Sequence, residues 1–178
     1  MSLKVDSIDQ AIVDLLIEDG RMSFSEIARK IGKLTERAVR YRYARLVREG
    51  ILRVSAIANP KALGLAVLAD VFVEVEPGRV LEVARKIAEL EMVTYLGCST
   101  GDRDLSVQIV ARDNQELYDL VANVVGKIHG VRRTTTFLMP LILKDVYQWS
   151  IPASLCQPDS AARSKRRTAR HNARTGSK

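Results

Sequence analysis

Little in this 178-residue chain points to covalent chemistry. Two cysteines, Cys98 and Cys156, cannot frame a disulfide scaffold, which fits a reducing, cytoplasmic setting. The two histidines, His129 and His171, stand far apart, so no metal site is expected. Phosphate-cradling glycine loops of the Walker or dinucleotide type are missing, and no cofactor is expected. No apolar run approaches the roughly 18 residues of a membrane span. The opening, Met1 to Asp6, lacks the apolar stretch of a secretory signal. Hydrophobic residues at 47% and charged residues at 28% are ordinary globular usage, which excludes wholesale disorder.

Nor do the reactive side chains assemble into catalytic sets. His129 sits beside Gly130 at a helix end, where a cation favours the dipole. Cys98 ends a strand pattern and reads as core. Asp102 and Asp104 share a tight loop with no histidine or metal ligand nearby. The expectation is a protein that is not an enzyme, with no catalytic residue.

What the chain does have is unevenly placed charge. The net charge is +7, with 28 Lys and Arg against 21 Asp and Glu. Residues 1–64 carry 12 basic and 8 acidic side chains, residues 65–150 carry 9 and 12, and residues 151–178 carry 7 and 1. A basic head and tail around an acidic middle suggest that the ends meet a polyanion and the middle does something else.

In the head, Ile8, Ile12, Leu15 and Leu16 repeat at helical spacing behind Asp6 and Asp9, a capping-box pair, and Gly20 ends the run. A second helix opens at Ser23 with Glu26 three residues on, buries Ile27, Ala28 and Ile31, and stops at Gly32. A third is capped by Thr35, turns Val39, Tyr43, Leu46 and Val47 inward and stops at Gly50. A short strand from Ile51 to Ile57 is expected next. Three short helices with tight joints make a helix-turn-helix. Arg37, Arg40, Tyr41, Ala44 and Arg45 lie off the apolar stripe of the third helix, with Arg42 and Arg48 flanking them. Such a face suits a DNA major groove, and Thr35 at the helix start suits a phosphate. Ser23, Thr35, Arg37, Ala38, Arg40, Tyr41, Arg42, Ala44 and Arg45 are therefore the candidate DNA-binding residues. Glu36 is discordant, since it favours the helix dipole but repels phosphate.

The middle reads as strand 68–75, helix 80–90, strands 93–98 and 105–111, helix 117–128 and a long strand 131–143. This βαββαβ order is the ferredoxin-like plan, one antiparallel sheet with helices on one face. The bare face needs cover, so a homodimer is expected. From Ser150 the apolar pattern dissolves among Pro152, Pro158 and a run of basic residues, and disorder is expected. The fold class is thus α+β, an N-terminal three-helix helix-turn-helix domain, a ferredoxin-like domain and a disordered basic C-terminal tail. The boundaries fall at 1–52, a 53–66 linker strand or hinge, 67–148 and 149–178.

Several segments together resemble the Lrp/AsnC family, the leucine-responsive and asparagine-responsive transcription regulators. They are Val5-Asp6-Ser7-Ile8-Asp9, Leu15 to Arg21, Glu26-Ile27-Ala28, Thr35 to Arg42, Leu46 to Leu52, Asn59 to Gly64 and Ser99 to Leu105. Position 36 is Glu where members often have Pro, and position 43 is Tyr where an aliphatic residue is usual. The resemblance implies dimers that assemble further, to tetramers or octamers, with the second domain serving assembly and amino-acid sensing. It also implies an effector-contacting loop at Thr100, Gly101, Asp102, Arg103 and Asp104. There Gly101 permits close backbone approach, the aspartates suit an α-ammonium and Arg103 a carboxylate. Thr134 and Thr136 on the last strand add hydroxyls. The function expected is a sequence-specific DNA-binding transcriptional regulator modulated by a small molecule, an amino acid. Two other readings use the same residues: a sequence-tolerant architectural DNA-binding protein, and a small-molecule-sensing regulatory subunit of a metabolic enzyme. The partners expected are double-stranded DNA, the effector and a second copy of the chain, with no membrane.

Overall fold

The computed structural model describes residues 5–32 and 34–157, which form two units. One takes residues up to Ala56 together with the stretch from Lys144 onward; the other is Ile57–Leu143.

In the first unit, α1 spans Ser7–Glu18, α2 Phe24–Ile31 and α3 Glu36–Arg48. The three starts follow from side-chain caps. Asp6 accepts from the Ile8 and Asp9 amides while Asp9 accepts from the Asp6 amide, a complete box. Ser23 accepts from the Glu26 amide and Thr35 from the Ala38 amide. Each cap satisfies an amide that helix geometry leaves without a partner. Gly32 sits in the left-handed region at φ 74°, which lets α2 stop and the chain turn at once into α3. Ile12, Leu16, Met22, Ile27, Ala28 and Val39 form the core between the helices.

Three local expectations change here. Val47 is exposed rather than inward, because Leu46 takes the buried position beside it. Residues 51–57 do not form a strand: the Ile51 and Leu52 amides both bond the Leu46 carbonyl, closing α3, and the extended stretch beyond has no strand beside it among the described residues. The third change concerns residues 150–157. These do not dissolve into a tail but lie along α1 as a strap. Ile151 is buried with Val5, Val13 and Leu46, and its carbonyl accepts from Gln10 Nε2 at 2.9 Å. The Ser150 hydroxyl bonds Asp14, and the Gln157 amide donates to the Val5 carbonyl at 2.7 Å. Ile151, with Cys156 packed beside the same cluster, and a handful of polar contacts hold it, a pattern too sparse to show as periodicity. The rest of the basic segment, from Pro158 on, lies outside the described residues.

The second unit runs β1 Val67–Val75, α4 Val80–Ala88, β2 Val93–Cys98, β3 Leu105–Ala111, α5 from Asn114 and β4 Val131–Leu138. All neighbouring strands are antiparallel, in the order β2-β3-β1-β4. Alternate residues of β1 and β3, among them Val71, Val73, Val107 and Ile109, are buried under Val83 and Ile87 of α4 and Leu117 and Val121 of α5. Each fully buried aliphatic side chain contributes about 1.5–3 kcal/mol before entropy is charged against it. The other sheet face, with Asp70, Phe72, Glu74, Gln108 and Phe137, has no helix over it among the described residues; Phe72 and Phe137 meet edge to face at 5.8 Å.

Two elements differ from their sequence patterns. α5 starts at Asn114, earlier than the apolar stripe suggests, because Asp113 caps it. It then widens into a π turn over Leu120–Val124 and tightens into a 3-10 turn over Val125–Lys127. β4 stops at Leu138 rather than 143, because Pro140 has no amide to continue the ladder. Gly130, at φ 98°, makes the corner between α5 and β4, and its carbonyl accepts from the Glu76 amide. A Cβ there would lie 3.0 Å from Arg79 Cδ and 3.2 Å from Val83 Cγ2.

Candidate nucleic-acid interface and effector region

The outer face of α3 follows from its packing. Val39, Tyr43 and Leu46 fix which side points inward, so Arg37, Arg40, Tyr41 and Ala44 are exposed, with Arg48 one turn further on. Tyr41 is 70% exposed, an unusual position for an aromatic that serves only the core. Ser23 and Thr35 sit at the starts of α2 and α3, their hydroxyls accepting the cap bonds, and the Ser23 hydroxyl also shares a hydrogen bond with that of Ser25 at 3.1 Å. Ala38 is half-buried.

Arg42 and Arg45 do not belong to that face. Arg42 donates to both Asp6 oxygens at 2.9 Å and to Asp9 at 2.7 Å, and Arg45 also bonds the Asp9 carboxylate. Asp9 is sealed, its side chain only 1% exposed. Burial alone would raise its carboxyl; the hydrogen bonds from Arg45 and Arg42 and from the Asp6 amide outweigh burial and hold it below the ordinary carboxylate range. These two arginines clamp α3 to α1, and they stand beside the outer face rather than with Arg37, Arg40, Tyr41 and Ala44.

Arg40 is held differently. Its Nη2 donates to Glu36 at 2.8 Å and its guanidinium lies 5.1 Å from the Phe24 ring centroid. Phe24 in turn packs on Tyr43 at 5.1 Å.

In the sheet unit the proposed effector residues separate. Gly101, at φ 149°, and Asp102, 88% exposed, are open to solvent, as is Thr100. Arg103 turns onto the bare sheet face, donating to Thr135 at 2.8 Å and to Glu74 at 3.2 Å. Asp104 is part of the frame. At the register shift between Glu74 and Val75 its carboxylate accepts the Val75 amide at 2.8 Å, and its own amide donates to Val73. One carboxylate oxygen is thus committed to the frame, and Asp104 is less open than Asp102. Thr134 and Thr136 face the helices instead, into a cleft of about 460 Å³ between α5 and β4. Leu117, Val121 and Leu138 make it largely apolar; Asn114 and Tyr118 complete the wall, and no charged group lines it. The structure thus brings Thr134 and Thr136 together but not with the loop. Among the described residues no cluster of His, Cys, Asp and Glu suits a metal ion, and no helix is long and apolar enough to cross a membrane.

Comparison with known proteins decides the family. Residues 5–47 match the AsnC-type helix-turn-helix domain and residues 68–147 the Lrp/AsnC ligand binding domain. The chain belongs to the Lrp/AsnC family. Relatives of this Lrp/AsnC protein include an HTH-type transcriptional regulator of Pyrococcus abyssi, 41% identical over 143 residues, which is 80% of this chain and 90% of the relative. The HTH-type transcriptional regulator LrpA of Pyrococcus horikoshii is 39% identical over 72% of this chain and 92% of its own length. Among solved structures, E. coli AsnC superposes with a TM-score of 0.73 at 20% identity, over 82% of this chain and 99% of that one. B. subtilis LrpC does so at 0.69 and 25% identity, over 81% and 98%. The Lrp/AsnC chain is a transcription regulator, with one domain for DNA and one for a ligand. Sequence reasoning about it missed four participants. Phe24 falls outside the apolar face read for the second helix, Asp9 reads only as a cap, and Asn114 and Tyr118 lie before and within the apolar stripe of α5. For Asp9 a signal was available: Arg42 and Arg45 stand one turn apart on the side of α3 that meets α1.

Proposed function

We propose that this protein is a sequence-specific regulator that binds operator DNA as a homodimer and changes its DNA binding or assembly when an amino acid binds. The observation that carries the DNA reading is the exposed face of α3, where Arg37, Arg40, Tyr41 and Ala44 stand together behind a capped two-helix frame. Ser23 and Thr35 supply hydroxyls for phosphates. The bare sheet face, with Phe72 and Phe137 half-exposed, supports pairing with a second copy. A dimer presents two α3 helices to half-sites one helical turn apart, about 34 Å, or a multiple of it.

The effector reading rests on the loop. A zwitterion needs both signs, and Asp102 with the amides around Gly101 offers an anion and a set of donors at one open place. The apolar cleft at Thr134 and Thr136 offers hydroxyls without charge, which suits a side chain better than the ionic end of a ligand.

The test is selection of binding sites from a random duplex pool, followed by binding titrations at several salt concentrations with and without each of the twenty amino acids. Enrichment of a two-fold motif, with an affinity that one amino acid shifts, supports the reading. Equal binding to all sequences replaces it with an architectural role, and absence of DNA binding at low salt with strong metabolite binding replaces it with a regulatory subunit. Asp102→Asn is expected to abolish the amino-acid response and Thr136→Val to leave DNA binding without effector intact; a full response in Asp102→Asn removes the loop from the site.

A further inference from the structure

We propose that Glu36, Arg40 and Phe24 form one base-reading unit directed at a G·C pair, in which Glu36 sets specificity by rejecting other pairs. The inference rests on the DNA-binding reading above and adds two residues to it, one of them an anion.

Three contacts define the unit. Glu36 accepts from Arg40 Nη2 at 2.8 Å, one helical turn away on the same face. The guanidinium lies over the ring of Phe24, which crosses from α2 and is itself braced by Tyr43. A small groove of about 260 Å³ opens beside it, walled by Ser23, Ser25, Glu36 and Arg40. A flexible arginine is thus fixed from two sides, by a carboxylate at one edge and an aromatic face beneath, while the side chain stays 64% exposed. An exposed i,i+4 ion pair adds little to stability, so the arrangement is poorly explained as a staple of α3. It sits in the first turn and a half of α3, the part of a recognition helix that meets base edges.

The chemistry of the pair selects its target. Arg40 keeps N–H donors beyond the one given to Glu36, and Glu36 has a second carboxylate oxygen with no partner among the described residues. Donors beside an acceptor are the complement of a G·C edge, where guanine shows O6 and N7 and cytosine shows its N4 amino group. A thymine in the cytosine position would turn its O4 acceptor toward the Glu36 carboxylate. Near the phosphate backbone the same anion is repelled. Glu36 is therefore tolerated over one kind of base pair and penalises the rest, which is how a charge confers specificity rather than affinity.

The test compares site selection by the full chain with that by Glu36→Gln, Glu36→Ala and Phe24→Leu, after thermal melts confirm folding. The wild type is expected to enrich a G·C pair at one position of each half-site. Both Glu36 variants should lower the penalty for an A·T pair at that position by about 5-fold or more, the lower end of what a good base contact supplies. Penalties at other positions should hold. Phe24→Leu should lower it partially. If the wild type enriches a motif and the Glu36 variants show the same penalties throughout, the base-reading unit is wrong while the regulator stands. If the wild type enriches no motif, the regulator reading itself fails and takes this one with it.

Discussion

Asp9 is the one buried charged residue among those described, and it holds α1 to α3 through Arg42 and Arg45. Removing its charge leaves two guanidiniums facing a neutral amide, which should cost about 2–4 kcal/mol in Asp9→Asn, read by denaturant unfolding. The pH dependence has a definite sign. The folded carboxyl lies below its unfolded value of about 3.9. Its stabilisation is therefore complete above that value and disappears as pH falls through the lower folded one. Acid titration of unfolding should show a steeper loss for the wild type than for Asp9→Asn; parallel curves would remove the cluster from the account. The same geometry separates the arginines of α3. Arg42→Ala should lower the melting temperature, whereas Arg37→Ala should leave it unchanged and weaken specific DNA binding by about 1–3 kcal/mol if it reads a base. At this scale the sequence was legible where the chemistry is local. Asp6, Ser23 and Thr35 could be read as caps because a cap needs only its own next three residues. Arg42 could not be assigned, because its partners lie 36 and 33 positions away.

At the scale of elements, apolar periodicity located the α-helices and sheet strands of the described residues, missed the short 3-10 turns such as Pro60–Leu63, and misjudged where some elements end. α5 begins three residues before its stripe because Asp113 accepts from the Glu116 amide at 2.8 Å. Asp113→Ala should cost about 1 kcal/mol in thermal or chemical unfolding of the sheet unit. β4 shows the opposite error. Leu141, Ile142 and Leu143 continue the apolar run past Pro140, yet all three are exposed, so hydrophobicity there is not a strand signal. The stretch 51–57 has strand-like residues and no strand beside it among the described residues, since pairing is a property of two segments and a sequence pattern describes one. The effector residues were scattered for the same reason. Thr134 and Thr136 alternate with Thr135 along β4, and the pleat sends the two sets to opposite faces.

At the scale of the whole molecule, the bare sheet face and the strap carry the remaining expectations. Placing a charge on that face with Phe137→Glu should shift the protein toward monomer in sedimentation, if the face joins two copies; an unchanged mass would move the interface elsewhere. The strap is testable by itself. Ile151→Ala should destabilise the helical unit by about 2 kcal/mol, less than a fully enclosed isoleucine because the site lies at the edge of its cluster. A melt indistinguishable from wild type would mean that residues 150–157 rest on α1 without supporting it. The strap also sets an order of manufacture. The reading head is built from both ends of the chain, with the sheet inserted between them. On the ribosome, Ile57–Leu143 emerges and can close while the seat for Ile151 on α1 is still vacant. A copy whose translation stops early carries a closed sheet unit and a helical unit that lacks its strap.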